Sequence, residues 1–162
     1  MEPNIDRDLH FRSVLSQFAT GVAVVTATNS LRPLGITIQS FCSLSLNPPL
    51  ILICPALTST SWPNIASAAG LCVNLLAESR EDLALQFAKS GGDKFVGVPW
   101  EPSPITESPI LVDALAWIDC RIDHVYPGGD HLLVVCEVLA LEARTDLRPL
   151  IFFKSGFGRM TG

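Results

Sequence analysis

GITIQSFCSLSLNPPLILICPALTSTSW, residues Gly35–Trp62, holds two strand patterns and the start of a helix. From Ile36 to Leu46 apolar and polar residues alternate. Ile36, Ile38, Cys42, Leu44 and Leu46 fall on one side, and Thr37, Gln39, Ser43 and Ser45 on the other. Period two is the repeat of a β-strand, whose successive side chains project to opposite faces. A polar face turned to water ordinarily carries charged groups, whereas this one holds only hydroxyls and an amide, suited to short-range hydrogen bonding. It faces a ligand, a partner chain or a covering sheet. Asn47, Pro48 and Pro49 break the strand, Leu50–Cys54 is a continuous apolar run fit for a buried strand, and Pro55 ends it.

Working outward, Thr58, Ser59, Thr60 and Ser61 lead into a short helical segment that closes at Gly70. One hydroxyl serves as the helix N-cap. The others either make turn bonds or, with the unpaired N–H groups of the helix start, hold an anion such as phosphate. A hydrogen-bonding strand face followed closely by such a run suits a ligand with a polar planar ring and a phosphate tail.

Elsewhere the pattern is strands with helices at the margins. Asp8–Phe18 places Leu9, Val14, Leu15 and Phe18 at near-helical spacing, with Gly21 as a stop; SREDLALQFAK, from Ser79, reads as a second helix ended by Gly91 and Gly92. Val22–Ala27 and Leu71–Ala77 read as strands, Trp100–Pro109 as a proline-rich surface loop, Ala114–Ala143 as two long strands about a PGGD hairpin, and Pro149–Lys154 as a final strand. There is no internal repeat. Many strands without regular strand–helix alternation predict a mainly β protein, an antiparallel barrel with flanking helices. GFGRMT at the C-terminus lacks the third glycine of a dinucleotide fingerprint, so a nicotinamide nucleotide would not sit on a Rossmann domain.

The 162 residues, 48% of them hydrophobic, suit one domain spanning 1–162 with a substantial core. A net charge of −5 without a basic cluster argues against nucleic acid as a partner. No apolar run is long enough to span a membrane and the N-terminus MEPNIDRDLH lacks the parts of a secretory signal, so the expected location is cytoplasmic. Cys42, Cys54, Cys72, Cys120 and Cys136 are scattered without a CxxC pair, which argues against disulfides and structural zinc. His10 and His124 have no second ligand at a metal spacing, and no metal site is expected.

Seven segments, in order FRSVLSQFATGVAVVTA, GITIQSFCSLSLNPPLILICP, TSTSWPNI, LCVNLLAE, FAKSGGDKF, GGDHLLVVCEV and PLIFFKSGFGRM, cover most of residues 11–159. Together they resemble the flavin reductase domain family, whose fold is the FMN-binding split barrel, a Greek-key-like antiparallel barrel. Within it they are most similar to the reductase components of two-component flavin monooxygenases. The resemblance implies an NAD(P)H-dependent flavin reductase that takes FMN or FAD with NADH or NADPH and passes reduced flavin to a separate monooxygenase. It also implies a homodimer.

For site residues the resemblance implies flavin contacts from Thr37, Ile38, Gln39, Ser40, Ser43, Cys54 and Pro55, and a phosphate near Ser59, Thr60 and Ser61. Lys94 would supply a cation and Phe95 an apolar neighbour. Phe41 or Trp62 could wall the apolar edge of the ring. His131, just after the hairpin turn, is implied beside the nicotinamide, with Phe153, Gly156, Phe157 and Arg159 shaping that pocket. No acid–base residue is required, because hydride transfer needs chiefly two stacked rings held close with water excluded. A non-catalytic flavin- or haem-binding split-barrel carrier or sensor is the alternative. A pyridoxamine-phosphate oxidase-like enzyme of the same fold would carry more basic residues than Gly35–Trp62 offers.

Overall fold

A computed structural model describes residues 5–161. The chain opens with helix α1 (Ile5–Leu15) and a two-residue strand β1 (Thr20–Gly21), then enters the hairpin β2 (Ala23–Asn29) and β3 (Arg32–Ile38). A second hairpin follows, β4 (Phe41–Leu46) with β5 (Pro49–Ile53), then α2 (Trp62–Ala66), β6 (Leu71–Leu76) and α3 (Glu81–Ala88). Short strands β7 (Trp100–Pro102) and β8 (Pro109–Leu111) precede the long hairpin β9 (Ala114–Gly128) and β10 (His131–Ala143). The terminal hairpin β11 (Ile151–Phe153) and β12 (Gly156–Gly158) closes the series.

Seven strands form one antiparallel sheet in the order β3-β2-β6-β9-β10-β5-β4. Its two open edges, β3 and β4, are consecutive in the chain, so the corner between them brings edge to edge and curls the sheet around its core. This is the mainly β, split-barrel architecture expected. Alternation sorts the two faces of β2: Ala23, Val25 and Ala27 enter a core with Ile36, Ile38, Ile53, Leu71, Val73 and Val134, while Val24, with Val22 just before the strand, joins Leu83, Phe87, Phe95 and Leu111 in a second cluster. The β9–β10 pairing contains two bulges. Asp123 is the extra residue on β9 and Leu139 the extra residue on β10.

Several expectations need correction. The alternating run Ile36–Leu46 is not one strand. Phe41 N–H donates to Gln39 O (2.9 Å), and Ser40 Oγ both donates to Cys54 O (2.9 Å) and accepts from Cys54 N–H (3.1 Å), which turns the chain sharply at Gln39–Ser40. Beyond the turn the inward face is lost: Cys42, Leu44 and Leu46 are exposed. Trp100–Pro109 is not structureless, since it supplies β7 and the start of β8. The first helix ends at Leu15 and its residues Leu9, Phe11, Val14 and Leu15 are exposed, as is Phe18 beyond it; Gly21 belongs to β1. The helix after the hydroxyl run ends at Ala66, and Gly70 has another task. A Cβ there would collide with the Thr106 side chain, so glycine lets the 103–108 loop lie against the start of β6.

Candidate functional site

At the seam beside the Gln39–Ser40 corner is a cavity of about 500 Å³. Three segments frame it: the end of β3 with the corner (Ile36–Ser40), the stretch after β5 (Cys54–Ser61), and the end of α3 with Lys94. His131 completes the rim. Its position is fixed by the β9–β10 hairpin clasping the post-β5 segment: Leu57 N–H donates to Asp130 O (2.9 Å) and Leu132 N–H to Pro55 O (3.0 Å). The His131 ring nitrogen Nδ1 lies 2.7 Å from the Asp130 carboxyl, and that contact holds Asp130 below the usual carboxylate range.

Hydroxyls and amides around the cavity divide by what they already bond. Thr37 Oγ donates to Ala84 O (2.6 Å), anchoring α3 on β3, and Ser40 is engaged both ways with Cys54. Neither has a proton left for a ligand. Gln39 is exposed, lines the cavity and has no side-chain partner among the described residues.

The 58–61 run is different. Ser59 Oγ accepts the Trp62 N–H (3.1 Å) and is thus the side chain that caps α2, while Ser61, at the cap position itself, makes no cap bond. Ser61 Oγ instead accepts from Lys94 Nζ (2.9 Å). Both serines are acceptors in these bonds, so each keeps its own O–H proton to donate. Thr58 and Thr60, both exposed, have no side-chain partner among the described residues.

Lys94 is held from three sides. Its ammonium donates to Ser61 Oγ, Gly35 O (3.1 Å) and Phe87 O (3.1 Å), which matches its three protons. Partial burial holds it below the ordinary lysine range. Phe87 reaches β3 because Gly35 has no side chain: a Cβ there would sit 2.6 Å from the ring. Lys94 therefore acts on the cavity by its charge and through the Ser61 hydroxyl it polarises.

Of the predicted flavin residues, the fold brings Thr37, Ile38, Gln39, Ser40, Cys54, Pro55, Ser59, Thr60, Ser61 and Lys94 into one cavity. Ser43 lies on the exposed edge strand β4, away from the cavity lining. Phe95 is buried edge-on against Phe87 (4.9 Å between ring centres), so it supports Lys94 from behind. Trp62 is buried in the main core and Phe41 packs against it, so neither walls the cavity; Phe87, Ala56 and Ala88 do. Sequence reasoning passed over Phe87, whose signal was the apolar face Leu83, Ala84, Phe87 of α3.

Of the predicted nicotinamide residues only His131 lines this cavity. Phe153 shares with Gln39 a smaller cavity lined also by Phe11, Leu15 and Phe18. Phe157 stacks edge-on against Phe152 over the second core cluster, and Gly156 and Arg159 line neither cavity.

Residues 15–161 match the family model described as Flavin reductase like domain. The reductase subunit HsaB of a flavin-dependent monooxygenase from Rhodococcus jostii is 43% identical over 152 residues, 94% of this chain and 76% of the relative. The FMN reductase (NADH) SmoA of Agrobacterium fabrum is 36% identical over 159 residues, 98% of this chain and 90% of the relative. Among solved structures, nitrilotriacetate monooxygenase component B from Mycobacterium thermoresistibile superposes with a TM-score of 0.92 at 40% identity, covering 97% of this chain and 88% of that one.

Proposed function

The chain belongs to the flavin reductase like domain family, and from that premise we propose that it is an NAD(P)H:flavin oxidoreductase whose reduced flavin serves a separate monooxygenase. The observation that carries the reading is the cavity at the seam. It gathers one free amide (Gln39), four hydroxyls with protons to give (Thr58, Ser59, Thr60, Ser61) and a fixed cation (Lys94) around a wall of Ile36, Ile38 and Phe87. Such a set fits a flavin from end to end. The amide meets the polar edge of the ring, the apolar wall its body, and the hydroxyls and cation its phosphate. Thr37 and Ser40 line the same cavity, and by anchoring α3 and the corner they also hold its wall in place.

When bound, a flavin supplies the hydride acceptor: two electrons and a proton pass from C4 of the reduced nicotinamide to N5, and solvent gives the second proton. The protein's residues position and shield. Gln39 would hold the polar edge of the ring, the 58–61 hydroxyls its phosphate tail, and His131 on the rim would hydrogen-bond the nicotinamide amide. Asp130, against Nδ1, sets the angle of that imidazole. Phe153, which lines the neighbouring cavity together with Gln39, would then border the nicotinamide's side of the site.

We read residues 1–162 as a single reductase domain with its core at about 11–159, working as a homodimer in the cytoplasm. The support for a dimer is the apolar surface one copy leaves uncovered: Leu9, Phe11, Val14, Leu15 and Phe18 near the N-terminus, and Leu44 and Leu46 on the edge strand. Cytoplasmic action suits consumption of reduced nicotinamide and five free thiols.

The test is oxidation of NADH and NADPH by the purified protein with FMN and FAD added in turn, run beside sedimentation. Turnover with at least one flavin and one nicotinamide is expected, from a dimer. Tight flavin retention without NADH or NADPH consumption would identify a carrier instead. His131→Ala is expected to raise the NADH KM several-fold, as for one lost hydrogen bond of about 1 kcal/mol, with flavin affinity nearly intact. Equal loss of both, with a lowered Tm, would return His131 to a structural role.

A further inference from the structure

A second cavity, of about 260 Å³, continues from the first past Thr60, Ser61 and Lys94, which line both. Its far wall is Arg32 with Asn64 and the pair Gly91–Gly92. Arg32 opens β3, opposite Asn29 in the β2–β3 hairpin. That hairpin is tied to α2, because Asn29 Nδ2 donates to Asn64 O (3.2 Å) and to Ser67 Oγ (2.8 Å). Arg32 is therefore held at a fixed place, yet it has no ion pair or hydrogen bond among the described residues. Asp93 also lines this cavity, and one of its carboxyl oxygens accepts the Phe95 N–H (2.9 Å).

A flavin phosphate resting on the 58–61 hydroxyls lies at the wall the two cavities share. Lys94 has its three protons engaged, so a second phosphate beyond that wall needs another donor. The guanidinium is suited to it, with paired N–H groups that fit a phosphate. The glycines leave the wall there free of side chains: the space around a Cβ at Gly91 or Gly92 is open.

We infer that this second cavity holds the distal phosphate and ribose of a dinucleotide flavin, with Arg32 as the residue that favours FAD over FMN. The inference rests on the flavin cavity proposed above and adds a ligand class to it.

The test is titration of flavin-free protein with FMN and with FAD, followed by fluorescence, for wild type, Arg32→Ala and Arg32→Lys. Wild type is expected to bind FAD about tenfold tighter than FMN at low salt, a gap that narrows as salt screens the exposed guanidinium. Arg32→Ala should weaken FAD binding by about tenfold and leave FMN within about twofold, with partial recovery in Arg32→Lys. Equal affinities in the wild type, or equal loss of both flavins in the alanine variant, overturn the inference. The KM for NADPH and NADH, measured with FMN, is the control: a loss confined to NADPH assigns Arg32 to the nicotinamide's extra phosphate and overturns it as well. The wild-type comparison decides the matter if Arg32→Ala does not fold. Binding is read without turnover, so Arg32-dependent FAD binding in a protein that consumes no NADH or NADPH would sink the reductase reading and leave this one standing.

Discussion

Two segments of this chain cluster hydroxyls, Thr58–Ser61 beside the cavity with four and Ser103–Ser108 away from it with three, and they use them in opposite ways. In the second, Thr106 Oγ donates to the Asp119 carboxyl (2.5 Å), while the backbone N–H groups of Ile105 and Thr106 donate to its other oxygen (2.9 and 3.1 Å). Ser103 Oγ accepts the Ser108 N–H (3.0 Å), and the Ser108 hydroxyl pairs with Thr106 (2.7 Å). Asp119, Ser103 and Ser108 are buried. Nearby, Asn74 ties β6 to β2 and β8 by donating to Val24 O, Thr26 Oγ and Pro109 O and accepting from Leu111 N–H. Those hydroxyls fasten a loop, whereas the ones at 58–61 keep their protons. Satisfaction within the chain, and not residue type, separates a structural polar cluster from a ligand site.

The largest effect that could break this comparison is Asp119→Ala. It leaves two partly buried N–H groups and a hydroxyl without their acceptor and should cost about 2–3 kcal/mol in denaturant unfolding. Asp119→Asn should recover part of the loss. The flavin KM of the folded fraction should not move; if it does, the two regions are coupled and the contrast fails.

Next is a dependence on pH beneath the same cluster. Burial first, and then the neighbouring Asp119 charge, push the Cys72 thiol up to about 12 from an ordinary 9.0. Cys136 rises to about 12, mainly by burial, and Cys120 rises too. A folded pKa above the unfolded one means stability that is complete below the unfolded value and lost as pH rises above it. Cys72 alone should thus lose on the order of 1 kcal/mol of stabilisation by pH 10. Unfolding curves at pH 8 and pH 10 should converge in Cys72→Ala relative to wild type; an identical fall in both would contradict the assignment.

The smallest effect sharpens the other side. Ser61→Ala removes one donor to the ligand and one acceptor of Lys94, and should raise the flavin KM several-fold, about 1 kcal/mol, with little change in Tm. Ser59→Ala should instead lower stability by about 1 kcal/mol as well, because Ser59 caps α2. Identical behaviour of the two serines would show that the cap and the ligand site are not separable.

Much of the architecture was legible because strand alternation and turn residues are local signals: the two long strands about PGGD, the buried strand expected at Leu50–Cys54 and the strand at Leu71 all appear near their expected bounds. What escaped was made by distant partners. The corner at Gln39–Ser40 depends on Cys54, and the engagement of Thr37 on a carbonyl 47 residues away. β7 and β8 stayed hidden because their pairing joins two ends of a proline-rich segment. For the site, residue identity pointed to the right region but could not say which hydroxyls were already taken. Exposure of Cys42, Leu44 and Leu46 was equally invisible to a period-two pattern, which records sides and not what covers them.

The two bulges of the β9–β10 hairpin sit on opposite strands, and their offsets cancel. His131 pairs with Gly128 and Val135 with His124; between Cys136 and Val138 the pairing is one residue out of step, and from Ala140 with Asp119 the original phase returns. Parity is therefore a shared property of the hairpin. Loss of Leu139 alone would leave one strand an odd residue short and reverse the facing of whatever lies beyond, whereas loss of Asp123 together with Leu139 would keep both ends in phase. Changes of length in this part of the chain can be tolerated only as mirrored pairs, one in each strand, since it is the hairpin's tip that delivers His131 to the cavity.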